Sequence, residues 1–212
     1  QKQCKAFVKI AENKDEKYCI NEKRVEQIEN ILKLLIMPKG LKAGQTLYEC
    51  TTNYQWLFYI SILAVVHRSD NEKRRYETGI LEICRKNFKT YTVGTLFILL
   101  FLIEPKFSKF YSVAPDGVLS REVKDAISET LKASPLIYQF KGEPRFKILR
   151  DSIAFKLNEN KLIPLSYSTS RMDGRLPNAF VADEVGALPN SYPIEAMRSG
   201  QLNIKNKLGC II

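Results

Sequence analysis

Residues Ala179-Phe180-Val181-Ala182 run without a polar break into Asp183-Glu184. A short apolar run of this kind reads as a strand buried on both faces, the kind found inside a parallel sheet covered by helices. Two adjacent carboxylates at its end are costly to bury unless a cation, usually a metal ion, compensates them. Fold and chemistry are therefore constrained together: an α/β core with acids held at the edge of its sheet.

The same layout defines a Walker B strand, in which one carboxylate supports Mg²⁺ and the next orients the attacking water. Such a strand requires a phosphate-binding loop upstream, and a damaged one is present. Gly79-Ile80-Leu81-Glu82-Ile83 reads as a strand, followed by Cys84-Arg85-Lys86-Asn87-Phe88-Lys89-Thr90 and a long helical run. In the pattern G-x-x-x-x-G-K-[ST], glycines let backbone N–H groups curl around phosphate at a helix N-terminus. Lys89 and Thr90 match its last two places, while Ile83 and Phe88 stand where the glycines belong. Lys-Thr after a strand is a weak signal alone. Its place ahead of a later Asp-Glu strand gives it weight, because that is the order of one nucleotide-binding domain.

The 212 residues suit one large α/β domain, or one with a small appendage, and 45% apolar content suffices for a core. Val93 to Ile103 is the longest apolar run; Gly94 and Thr95 interrupt it, and it is too short to cross a bilayer. No secretory pattern is visible from Gln1-Lys2-Gln3 onward. Five cysteines without C-x-x-C spacing argue for reduced thiols and against a zinc site. The single histidine, His67, excludes mechanisms that need two, and reads as a surface residue at a helix end. A net charge of +10 suits a protein that meets a polyanion. Arg68, Lys73, Arg74 and Arg75 read as a solvated connection in preference to a DNA-contacting loop.

Along the chain, Asn21 to Ile36 is an amphipathic helix ended by Pro38 and Gly40. A second helix starts near Asn53 and carries Gln55. Phe110 to Ala114 is a strand, and Ser120 is expected to cap a helix reaching Lys132. Between Phe146 and Leu165 the pattern becomes hairpins, with a turn at Asn158-Glu159-Asn160. A helix around Ile194 to Arg198 and a strand from Lys207 close the chain. Alternating strands and helices imply a mostly parallel central sheet covered on both faces.

Several segments together resemble the ATPase domain of the large terminase subunit, the motor that pumps DNA into tailed-phage capsids. Arg85-Lys86-Asn87-Phe88-Lys89-Thr90 is similar to the family's R-K-N-G-K-[ST] loop, and Ala179 to Glu184 resembles its Walker B segment. Asp173-Gly174-Arg175-Leu176-Pro177 looks like the L-D-G-x-x-P element before it. Gly40-Leu41-Lys42-Ala43-Gly44 and Tyr54-Gln55 are similar to G-x-x-A-G and W-Q elements near the family's N-terminal end. These five occur in family order over roughly residues 21 to 212.

The resemblance implies an ASCE-type P-loop NTPase fold: an N-terminal helical segment, residues 1–50, packed on a core of residues 51–212. It implies ATP and Mg²⁺ as cofactors. Gln55, Arg85, Lys86, Asn87, Phe88, Lys89 and Thr90 would hold nucleotide; Thr90 and Asp183 would support the metal; Glu184 and Arg85 would be catalytic. Implied partners are double-stranded DNA, the small terminase subunit and the portal protein, with a monomer in isolation, a ring on the portal, and the host cytoplasm as location. Family members continue through a coupling motif into a nuclease domain of ribonuclease H type, so this chain looks like an excised ATPase domain without nuclease activity.

Phe88 departs from the family pattern. The favoured expectation is a loop on another path with the ring packed on apolar neighbours, so that Phe88→Gly removes about 3 kcal/mol of stability. The alternative is a decayed nucleotide site on a DNA-binding or assembly module of the same fold. A nucleotide kinase is a third reading, without an identifiable acceptor site or lid.

Overall fold

The computed structural model describes residues 2–84, 87–167, 172 and 174–212, with side chains from residue 4 onward. Helix α1 (Lys2–Ala11), strand β1 (Tyr18–Ile20) and helix α2 (Glu22–Leu34) come first. The Asn21 side chain caps α2 by accepting from the Arg24 N–H at 3.1 Å. Short α3 (Leu47–Cys50) and α4 (Asn53–Ala64) follow, then a hairpin of β2 (Val65–His67) and β3 (Asp70–Arg74). β1, β2 and β3 form an antiparallel sheet, so residues before and after position 50 share one ladder.

This hairpin replaces the solvated connection expected around Arg68 to Arg75. Arg74 is only 4% exposed, and its guanidinium pairs with the buried Glu104 carboxylate. A guanidinium buried so deeply requires such a partner, and this one comes from 30 residues away. His67 lies in β2, half-buried and edge-on to the Tyr18 ring at 5.0 Å, and not at a helix end.

The main sheet begins with β4 (Thr78–Ile80), which is followed by α5 (Lys89–Ile103) and β5 (Lys109–Ala114). Next come α6 (Leu119–Ala133), α7 (Pro135–Tyr138) and the two-residue pair β6 (Gln139–Phe140) and β7 (Glu143–Pro144). β8 (Phe146–Leu149), β9 (Ser152–Phe155) and β10 (Asn160–Ser166) form the expected hairpins. β11 (Ala179–Ala182), α8 (Tyr192–Ser199) and β12 (Leu208–Ile211) end the chain.

Seven strands pair in the order β4-β12-β11-β5-β10-β9-β8. The first five are parallel, while β9 and β8 run antiparallel at one edge. One face packs on α5 and α6 through Phe97, Phe101, Val123 and Ile127. α5 is apolar on every side because residues 92–101 are buried all round. The other face packs Tyr111, Val113 and Phe180 under Met197 of α8 and Met172. Gly209 of β12 lets the Arg198 guanidinium cross the strand, since a Cβ there would come within 2.7 Å of it. Ser120 is not the cap of α6. Asp116 holds that end instead, accepting from the N–H groups of Val118 and Leu119 at 2.7 and 2.9 Å. Among the described residues no helix is long and apolar enough to cross a membrane.

Candidate active site

β4 and β11 both flank β12, so the loop leaving β4 and the acid ending β11 meet across the carboxyl end of one strand. The carboxyl ends of parallel strands are where open α/β sheets hold ligands. Ladder-like bonds continue past the strands: the Leu81 N–H donates to the Ile211 carbonyl and the Asp183 N–H to that of Val113, both at 2.9 Å. Lys89 opens α5 and Asp183 follows β11, which brings residues 94 apart into contact. The Lys89 Nζ lies 3.0 Å from Asp183 Oδ1 and 3.5 Å from Glu184 Oε1. Asp183 is buried and Glu184 exposed. Burial works against the Lys89 ammonium, but the hydrogen bond and charge of Asp183, joined by Glu184, outweigh it and raise its pKa above the ordinary lysine range. Thr90 follows half-buried in the first turn.

Two non-glycine residues beside Lys89 occupy the left-handed backbone region. Phe88, at φ 56° and ψ 30°, is the residue before α5; Glu184, at φ 50° and ψ 44°, precedes a single 3₁₀ turn over Val185–Ala187. Phe88 thus adopts the conformation for which the family pattern has glycine. Its ring is 50% exposed and meets Tyr91 edge-on, with centroids 6.4 Å apart. The expected burial against the long helix is reduced to that contact and the approach to Gly40, where a Cβ would sit 3.7 Å from the ring.

Beside the loop, Met37, Tyr54, Gln55, Asn87, Phe88 and Tyr91 are among the residues lining a cavity of about 330 Å³. Gln55 Oε1 accepts from the Thr52 N–H and hydroxyl at 2.9 and 3.0 Å, and Nε2 donates to Thr92 Oγ1 at 2.7 Å. The amide therefore closes the start of α4 and ties it to α5. Asn87 donates from Nδ2 to the Cys84 carbonyl at 3.2 Å, and its own carbonyl accepts from the Tyr54 hydroxyl at 2.9 Å. Arg85, Lys86 and Asp173, singled out in the sequence, lie outside the described residues.

A tether behind the cavity leaves no mark in the sequence. The Tyr91 hydroxyl donates to the Glu129 carboxylate, which also pairs with Lys39 at 2.9 Å. The Tyr91 hydrogen bond, reinforced by Lys39, outweighs partial burial and holds the Glu129 carboxyl below its usual range. These residues join α5, α6 and the segment after α2. Nothing in their spacing announces the contact, because it spans three separate elements.

The family model for the terminase large subunit ATPase domain matches residues 56–212. Solved structures of similar fold include the HK97 bacteriophage large terminase, with TM-score 0.70 and 17% identity, covering 89% of this chain and 37% of that one. The ATPase domain of the Thermus phage P74-26 large terminase gives TM-score 0.51 at 12% identity, covering 66% of this chain and 61% of that one. At such identities the likeness is one of fold. The chain thus spans little more than a third of the length of the HK97 protein. No curated protein matches it.

Proposed function

The chain belongs to the terminase large subunit ATPase-domain family, and from that premise we propose that it hydrolyses ATP with Mg²⁺ to drive double-stranded DNA into a procapsid. The observation that carries this reading is the Lys89–Asp183 contact across the carboxyl end of β12. A phosphate-loop lysine and a buried Walker B acid need that proximity to share one nucleotide. Lys89 would exchange Asp183 for the β- and γ-phosphates. The Asp183 carboxylate and Thr90 hydroxyl are hard oxygen donors suited to Mg²⁺. When bound, the ion supplies neutralisation of phosphate charge.

Glu184 would orient the hydrolytic water and take its proton. Arg85 would stabilise charge in the transition state, with Lys86 and Asn87 completing the loop around the phosphates. Gln55 would read the adenine edge with the amide proton that Thr92 leaves over. In this reading the small terminase subunit and portal are partners, the working form is a ring on the portal, and the setting is the host cytoplasm. Residues 1–50, mostly helical, would attach to the 51–212 core through the β1–β2 ladder. Phosphate release from Mg-ATP, measured with and without duplex DNA, tests the activity. Turnover that DNA stimulates is expected; a chain that binds Mg-ATP yet releases no phosphate in either condition contradicts it.

A further inference from the structure

We propose that the face of β8, β9, β10 and β5 turned away from α5 and α6 holds the phosphate backbone of duplex DNA on a row of lysines; the choice of DNA rests on the packaging reading above. The row follows from strand register. Lys147 lies opposite Ala154, Ala154 opposite Lys161, and Lys161 opposite Lys109. Directly paired residues project from the same face of a sheet. Their chain neighbours Phe146, Ile153, Leu162 and Phe110 belong to the core under α5 and α6, so the row faces the other way.

That other face is covered only in part. Met172 and α8 pack over the β5, β11 and β12 portion. Over β8 and β9 no helix lies among the described residues, and Leu149 on this face is 44% exposed. Lys109, Lys147 and Lys161 are all exposed, and among the described residues none forms an ion pair. Elsewhere Lys39, Lys124, Lys205 and Lys207 are each neutralised by a carboxylate. The exposed Lys156 extends the same ladder by donating its N–H to the Arg145 carbonyl at 2.8 Å, which places two more basic residues beside the row.

Three inter-strand gaps at about 4.8 Å each make the row about 14 Å long. Over that length a duplex carries about eight phosphate charges. Lysine ammoniums are hydrated point charges on flexible stems, which suit a polyanion read without regard to base sequence. A duplex presents its phosphates as a regular line of charge of that length. Lys109 and Lys161 stand at the starts of their strands, at the opposite end of the sheet from Lys89 and Asp183. DNA contact and nucleotide chemistry are thus separable by mutation.

The test is fluorescence anisotropy of the 212-residue chain with a labelled duplex across a salt series. It compares K109Q/K147Q/K161Q with a charge-matched control, K5Q/K17Q/K132Q, both checked by thermal melts. The row variant is expected to lose more than about tenfold in affinity at low salt, and its log K against log salt slope should fall by about 2.7. The control should stay within about threefold of the parent, and phosphate release without DNA should be parental in both. Equal losses in the two variants, unchanged binding by the row variant, or a parent that binds no duplex at low salt would overturn the proposal. A row variant that changes self-association in the ultracentrifuge while keeping DNA affinity would also overturn it and make the face a protein interface. If the triple variant fails to melt cooperatively, K147E on the edge strand gives the same comparison. A parent without phosphate release counts against the ATPase reading whatever the DNA result, so the two failures remain distinct.

Discussion

Phe88 and Glu184 flank the same lysine in nearly the same left-handed backbone state, yet the state serves different ends. At Glu184 it turns the chain sharply after β11 and brings a carboxylate to 3.5 Å from Lys89. At Phe88 it lets the chain enter α5, and the half-exposed ring adds little beyond Tyr91. The loop backbone is held from the helix side, where the Thr92 N–H and hydroxyl both donate to the Phe88 carbonyl, at 2.8 and 3.0 Å. The lesson is that the turn survives the loss of its glycine because the first turn of α5 imposes it. One residue tolerates strain for its side chain, and the other for its backbone.

The largest effect is expected at Glu184. Glu184→Gln is expected to lower phosphate release by about 10²–10⁴-fold while leaving Mg-ATP affinity near parental, since the amide cannot take a proton. Parental turnover would remove Glu184 from its role. Lys89→Ala strands the buried Asp183 carboxylate, and a stability loss of about 1–3 kcal/mol is expected in thermal or urea unfolding. An unchanged midpoint would mean the contact contributes nothing.

Phe88→Gly separates the two uses of the left-handed state. Relief of a left-handed backbone worth about 1–2 kcal/mol is set against about 0.5–1 kcal/mol of glycine chain entropy and a modest ring contact. The expected stability lies within about 1 kcal/mol of the parent, replacing the 3 kcal/mol loss that a fully buried ring implies. Melts showing the larger loss would restore the buried-ring account. The smallest effect is in pH. The Lys89 pKa is raised in the folded state, so its contribution is complete below the ordinary lysine value of 10.5 and fades as pH climbs through the raised one. The stability gap between the parent and Lys89→Ala should therefore hold from neutral pH to about 10 and shrink above it; a gap that closes near neutrality points to another group.

The residues most legible in the sequence carry their signal locally. Ala179 to Ala182 is apolar because both faces of β11 are buried, and Asp183 and Glu184 stand out against that run. Lys89 and Thr90 are read from the helix start they open. The β2–β3 hairpin was not legible, because Asp70 to Arg74 is polar throughout and its one buried member depends on Glu104. The Ser120 cap failed because α6 already starts at Leu119, which puts Ser120 inside its first turn, while Asp116 ahead of the helix accepts from the N–H groups of Val118 and Leu119. Gln55 was recognisable as a polar residue at a helix start, but its bond to Thr92 depends on how α4 meets α5.

In the proposed reaction Lys89 trades its carboxylate partners for nucleotide phosphate. Calorimetric titration of Mg-ATP into Glu184→Gln, with and without Lys89→Ala, reads that exchange without interference from turnover. Loss of a charge-assisted phosphate contact worth about 1.5–3 kcal/mol predicts an affinity about 10- to 150-fold weaker in the double variant. Equal affinities in the two would mean that Lys89 does not hold the phosphates.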